Sequence, residues 1–255
     1  MLAWIGAMML ATAPAAAATC QGNPLLAAAP RQVPVQTAGG TRIGTISYPA
    51  TAPLADREVA LTFDDGPDGE HTRQVLEILE RHCVRATFFL VGQEVHDDPD
   101  TVRAIAAAGH TLGAHSQTHP DSLPALPAEL ARREVTDSFA EIRAALAPAS
   151  AQDQGRLQHF FRFPSLIHSP ELDAWLAEQG YAAVSADLDA DDWSDLGSED
   201  ILARAILRTD ARRGGILLLH DYNPEMIAVL DRLLLALENR GYHFVQLVEA
   251  KAPAS

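Results

Sequence analysis

The chain has 255 residues, 47% hydrophobic and 21% charged, which is ordinary for a globular protein and enough for one large domain with a sizeable core. Its formal net charge of -15 argues against nucleic acid as a partner, because a phosphate backbone asks for a basic face. A neutral or cationic substrate suits this balance better.

Residues 1–18 form a short apolar run ending in Ala16-Ala17-Ala18, a small-x-small cleavage site before Thr19. This is the pattern of a secretory signal peptide, although no Lys or Arg precedes the run. The run is short for a bilayer span and contains Pro14, so cleavage ranks above anchoring. The mature protein is therefore expected in the periplasm or secreted, with no membrane span left after cleavage. Its two cysteines, Cys20 and Cys83, are expected to form a disulfide in that oxidising compartment.

Residues 19–56 are rich in Pro, Ala, Gly and Thr and lack periodicity. They predict an extended arm, with a short hairpin around Ile43–Tyr48. From residue 57 to 255 the pattern changes to that of one folded domain. Short apolar runs at Val59–Phe63, Ala86–Val91, Thr111–Ala114, Phe160–Phe163, Ala182–Ala186, Gly215–Leu219 and Tyr242–Leu247 predict strands. Amphipathic helices are predicted between them at Thr72–Arg81, Pro99–Ala108, Pro127–Leu146, Pro170–Gln179, Ser198–Arg208 and Pro224–Arg240. Several open with Pro, and two end at Gly180 and Gly241. Such alternation implies a parallel sheet with helices outside. The fold class is α/β. About seven strands favour a distorted (β/α) barrel over the alternative, a doubly wound open sheet.

In such a barrel, chemistry collects at the C-terminal ends of the strands. The residues that follow or end the predicted strands are mostly polar. They are Asp64 and Asp65; His115 and His119; Arg162 and Pro164; Asp187, Asp189, Asp192 and Trp193; and His220 with Asp221. His115 and His119 are four apart, which places both imidazoles on one side of a helical turn. With one carboxylate they make a two-His, one-carboxylate site with open positions, as in catalytic zinc centres. Alone, either an Asp pair or a His-x-x-x-His pair is more often a turn or solvated surface. Together on adjoining strand ends they point to a metal.

Thr62-Phe-Asp-Asp-Gly-Pro67 followed by His115-Ser-x-x-His119 resembles the polysaccharide deacetylase family, the NodB homology domain of carbohydrate esterase family 4. The likeness runs from about Val59 to Leu247. It implies a NodB-like distorted barrel and assigns Asp65, His115 and His119 to the metal, zinc first and cobalt as the alternative. Asp64 resembles the general base, Arg162 the arginine that holds it, and His220 the general acid. In Asp189-Ala-Asp-Asp-Trp193 one carboxylate would orient His220. Asp189 is favoured over Asp187 and Asp192, and Trp193 would wall the site. Leu218 would line a pocket for the acetyl methyl. Many members carry Tyr-Gly where this chain has Ser165-Leu166, so the backbone amide of Ser165 would serve the oxyanion and the substrate-facing wall must differ.

The expected activity is metal-dependent removal of N-acetyl groups from an extracytoplasmic glycan, with chitin oligosaccharide or peptidoglycan-type N-acetylglucosamine as substrate. The alternatives are O-deacetylation of an acetylated xylan and a non-catalytic glycan-binding module. The latter has no need of Asp64, Arg162 and His220. A monomer is expected. The other histidines, His71, His82, His96, His110, His159, His168 and His243, are assigned surface or packing roles by default, as is Trp175.

Overall fold

The computed structural model describes residues 30–251. The predicted signal segment and Cys20, one end of the expected Cys20–Cys83 bridge, lie outside the described residues.

In chain order the elements are β1 (Gln32–Val35), β2 (Arg42–Ile43), β3 (Glu58–Asp64), α1 (Gly69–Arg81), β4 (Thr87–Leu90), α2 (Gly92–Asp97), α3 (Pro99–Ala107), β5 (Thr111–Ala114), α4 (Ala128–Leu146) and α5 (Ala151–Gln154). There follow β6 (Leu157–Phe161), α6 (Pro170–Glu178), β7 (Ala182–Val184), β8 (Leu188–Asp189), α7 (Ser198–Arg212), β9 (Gly215–His220), α8 (Pro224–Asn239) and β10 (His243–Glu249). Helices α3, α6 and α8 begin as their sequences predict, with Pro in the first turn. The side chains of Asp98, Ser169 and Asn223 accept backbone N–H groups that the first turn leaves unpaired.

Every described strand pairing is parallel. The pairings run β9–β3–β4–β5–β6–β7. A bend after Val184 then takes the same chain to β8, which pairs back with β9. The ring is thus closed through the backbone of residues 184–188, giving a distorted parallel barrel with helices outside. β10 pairs with the start of β3, where His243, Phe244 and Val245 meet Glu58, Val59 and Ala60.

Alternation along the strands divides the buried residues between the two faces of this barrel. Leu61, Phe63, Leu112, Phe161, Leu217 and Leu219 pack in the cluster that includes the helices. Ala60, Phe89, Phe160 and Ile216 form the interior cluster. Following the inward parity upward gives Ala60, Thr62, Asp64 on β3 and Ile216, Leu218, His220 on β9. The same parity continues to Arg162 after Phe160 and to His115 after Gly113. The register pairs Asp64 with His220. Apolar burial below and parallel register together deliver polar side chains to one rim.

The arm differs from expectation. No hairpin forms at Ile43–Tyr48. Instead β2 adds in parallel to β7, pairing Ile43 with Val184, and is followed by a turn in which Gly44 O accepts from Tyr48 N at 2.9 Å. Two residues are too few for a strand to hold a hairpin partner of its own, whereas the open edge of β7 offers a parallel one. Gly44 has a φ of 102°, and a Cβ there would lie 2.4 Å from the Ser185 backbone. β1 adds to β10 in the same way and buries Val33 and Val35.

Asp187 fastens this arrangement. Its carboxylate accepts from Thr45 N and Thr45 Oγ1, both at 2.9 Å, from Ile216 N at 2.8 Å and from Thr51 Oγ1. One buried carboxylate therefore joins the arm, the bend and β9. No described helix is long and apolar enough to cross a membrane.

Candidate active site

The adjacent carboxylates at the end of β3 diverge because their backbones differ. Asp64 closes the strand with an inward side chain, and Asp65 lies in the left-handed region with φ 73°. Gly66 then passes over Asp221 so closely that a Cβ would lie 2.4 Å from its carboxylate, which reserves the position for glycine.

Asp64 is 2% exposed, and its Oδ1 accepts from Arg162 Nη1 at 2.6 Å. The Arg162 guanidinium is wholly buried yet satisfied. It donates to Val184 O (2.9 Å), Ser185 O (3.0 Å) and Thr62 Oγ1 (2.9 Å), and it stacks 4.1 Å from the centre of the Phe89 ring. So fixed, it leaves Asp64 Oδ2 as the atom facing His115 Nε2, 3.8 Å away.

Asp65 Oδ1 lies 3.3 Å from His115 Nε2 and 3.2 Å from His119 Nε2. One ligand atom from each of the three residues falls within 4.8 Å of the others. Asp65 Oδ1 is buried without a hydrogen-bond partner, which a cation would supply. His115 Nδ1 is held by Arg162 O at 2.8 Å, which turns Nε2 toward Asp65 as a ligating imidazole requires. Burial alone would raise the Asp65 carboxyl. The contact and charge of His115, then those of His220 and His119, outweigh it and hold the group down at about 2. Burial and the neighbouring His115 push His119 down, toward the neutral form that ligates. The two nitrogens and one carboxylate oxygen fit a divalent metal ion.

The expected helical turn at His115–His119 is absent. The chain makes a tight loop with Ser116 at φ 68° and His119 at φ 50°, and the imidazole centres lie 5.0 Å apart. Glu134 of α4, which sequence reasoning missed, holds this loop. Its carboxylate accepts from Gln117 N (2.9 Å), Thr118 N (2.8 Å) and Thr118 Oγ1 (2.9 Å).

His220 is oriented by Asp192 and not by Asp189, the residue favoured from sequence. Asp192 Oδ1 accepts from His220 Nδ1 at 2.9 Å and Oδ2 from His220 N at 2.8 Å. Burial opposes protonation of His220. The Asp192 hydrogen bond and charge, with Asp64 and Asp65 adding, overcome it and push the imidazole up to about 9. Asp189 instead accepts from Asp191 N at 3.0 Å and pairs with Arg208. Asp187, the third candidate, is the clasp described above. Asp221 is buried beneath the site with Thr72 Oγ1 on its Oδ2 at 2.6 Å. Burial pushes its carboxyl up to about 7.

These residues open into a cleft of about 820 Å³. Leu218, Trp193 and Tyr222 line it on one side, and Ile46, Ser47 and Ser165 through His168 on another. Trp193 is 63% exposed, so its ring face is available to a ligand. Ser165 and Leu166 are both left-handed, with φ 53° and 57°. Such strain in non-glycine residues is commonly found at functional sites. His110, by contrast, is buried and accepts from Ala86 N at 3.0 Å, a packing role as expected.

A parallel barrel with an Asp-His-His metal site, an arginine-held carboxylate and a carboxylate-held imidazole defines a metal-dependent hydrolase. The family model for polysaccharide deacetylase matches residues 51–184. The chain is 36% identical over 208 residues to a chitooligosaccharide deacetylase of Rhizobium leguminosarum bv. trifolii, covering 73% of this chain and 88% of that one. It is 31% identical over 206 residues to a peptidoglycan-N-acetylglucosamine deacetylase of Bacillus cereus, covering 79% of this chain and 70% of that one. Among solved structures, a peptidoglycan deacetylase of Bdellovibrio bacteriovorus superposes with a TM-score of 0.76 at 28% identity. That match covers 87% of this chain and 59% of the other. The chain belongs to the polysaccharide deacetylase family, and it is a metal-dependent carbohydrate deacetylase.

Proposed function

We propose that this enzyme removes N-acetyl groups from a neutral N-acetylglucosamine oligosaccharide outside the cytoplasm, releasing acetate, with zinc as its metal. The observation that carries this reading is the placement of an arginine-held carboxylate and an aspartate-held imidazole beside one Asp-His-His cluster. The cleft lining has Asp64, Asp65 and Asp189 and no described Lys or Arg, which favours a neutral glycan over one bearing carboxylates. The apolar run and small-residue cleavage site in residues 1–18 support export.

When bound by Asp65, His115 and His119, the metal supplies Lewis-acid polarisation at the acyl carbon. Asp64 Oδ2 takes a proton from the attacking water, its other oxygen being occupied by Arg162. The Ser165 amide donates to the oxygen that gains charge as the carbonyl becomes tetrahedral. His220 Nε2 delivers its proton to the leaving amine, because Nδ1 is held by Asp192. An imidazole pushed up to about 9 carries that proton at neutral pH. Leu218 and Trp193 bound the space beside the acetyl methyl and the sugar face.

A substrate panel tests this reading. Zinc-loaded protein should release acetate from N-acetylchitooligosaccharides faster than from peptidoglycan or acetylated xylan. Faster release from xylan would make the enzyme an O-deacetylase.

A further inference from the structure

We propose that His168 is a specificity-determining residue that hydrogen-bonds, through Nε2, the sugar next to the one being deacetylated. The inference rests on the oligosaccharide reading above and deepens it.

His168 lies in the cleft wall, three residues beyond Ser165, with 30% of its side chain exposed. Its position is over-determined for a surface histidine. Nδ1 lies 2.7 Å from Asp173 Oδ2, a carboxylate only 1% exposed. The other oxygen of Asp173 accepts from Tyr48 OH at 2.9 Å. Burial, and then the Asp173 charge, push the Tyr48 hydroxyl upward, so it remains a donor. The Tyr48 ring packs 4.6 Å from the imidazole centre. With Nδ1 committed to a buried carboxylate and one ring face covered, the edge left for the cleft carries Nε2. The neutral ring accepts from a sugar hydroxyl there, and the protonated ring donates to an acyl oxygen.

The structure repeats this device. His220 is held by a buried Asp192, and His168 by a buried Asp173. His220 stands 3.8 Å from Asp65 Oδ2, at the Asp-His-His cluster. His168 belongs instead to the wall formed by Ile167, Ile46 and Ser47, and among these lining residues it alone offers an imidazole outside the metal and acid positions. Ile46 and Ile167 are 46% and 44% exposed, which provides an apolar edge beside a polar reader, as a pyranose ring asks for.

The test compares N-acetylglucosamine with N-acetylchitotetraose on the zinc-loaded protein. His168→Ala should raise KM for the tetramer about tenfold, the loss of about 1.4 kcal/mol, with kcat within about twofold and no change for the monosaccharide. Asp173→Asn should raise the same KM by less. Unchanged KM for the tetramer, or equal losses on both substrates, would overturn the proposal. A measurement on the unaltered protein avoids any folding defect. In a protein labelled with nitrogen-15 histidine, the His168 Nε2 resonance should move on adding the tetramer, and a resonance that stays still would overturn the contact. Acetate release by the same sample reports the functional reading separately. A shifted resonance without acetate upholds the contact and removes the reading of N-acetylglucosamine oligosaccharide as the deacetylated substrate.

Discussion

The floor of the cleft and its outer wall are built by different means. Asp64, His115, Arg162 and His220 stand at the ends of paired strands or one residue beyond them, all on the inward parity. Their backbones are set by the ladder, and most of their side chains are at least 90% buried. The wall at Ile46, Ser47 and Ser165–His168 comes from the arm and from a loop with two left-handed residues. It is held by side chains: Ser47 Oγ to Leu166 O at 3.2 Å and to Ser185 Oγ at 2.7 Å, and His168 to Asp173. Reacting groups thus sit on the rigid part, and substrate-reading groups on a part whose register only side chains define. Changes in the floor should therefore fall on kcat and metal, and changes in the wall on KM and local stability.

The largest effect expected is at Asp64. Asp64→Asn removes the proton acceptor and should lower kcat by about 10²–10⁴-fold while elemental analysis finds the metal content unchanged. A variant with normal turnover would move the base elsewhere. Next is Glu134→Ala, which frees the His115–His119 loop without touching a ligand. Metal affinity should fall by about 10–100-fold, read by competition with a chromogenic chelator.

Asp192→Asn should lower kcat by about tenfold or more and move the alkaline limb of the rate profile. The direction follows from the proton His220 must carry. Activity is lost as pH rises through the His220 pKa, now pushed up to about 9. Without the Asp192 charge, burial pulls that value down, so the limb shifts to lower pH. Asp189→Asn should leave the limb in place, since Asp189 pairs with Arg208. The smallest effect on rate is expected at Asp187. Asp187→Ala loosens the arm from β9 and should destabilise the fold by about 1.5–3 kcal/mol, seen in denaturant melts, with kcat nearly unchanged.

The floor was legible in the sequence because its signals are local. A carboxylate pair stopping an apolar run, or a histidine directly after one, marks a strand end without knowledge of what packs beside it. The shape of the His115–His119 loop was not legible, because a spacing of four is shared by a helical turn and by a tight loop with left-handed residues. Asp192 lost to Asp189 for a related reason. The strand ends at Asp189 and Asp191 has a φ of 52°, so no strand alternation relates Asp189 to Asp192. Glu134 sits on a helix and Asp173 on another, and neither carries a local mark of its partner. β1 and β2, four and two residues long, owe their existence to the β10 and β7 edges rather than to their own pattern.

Metal-stripped protein titrated with zinc, with acetate released from N-acetylchitotetraose as the readout, tests the assignment of the floor most directly. Acetate release should rise with bound zinc and saturate at about one ion per chain, as one Asp-His-His cluster provides. The Asp64→Asn chain should bind the same ion and release almost none. Acetate release that ignores zinc, or that survives in Asp64→Asn, would contradict it.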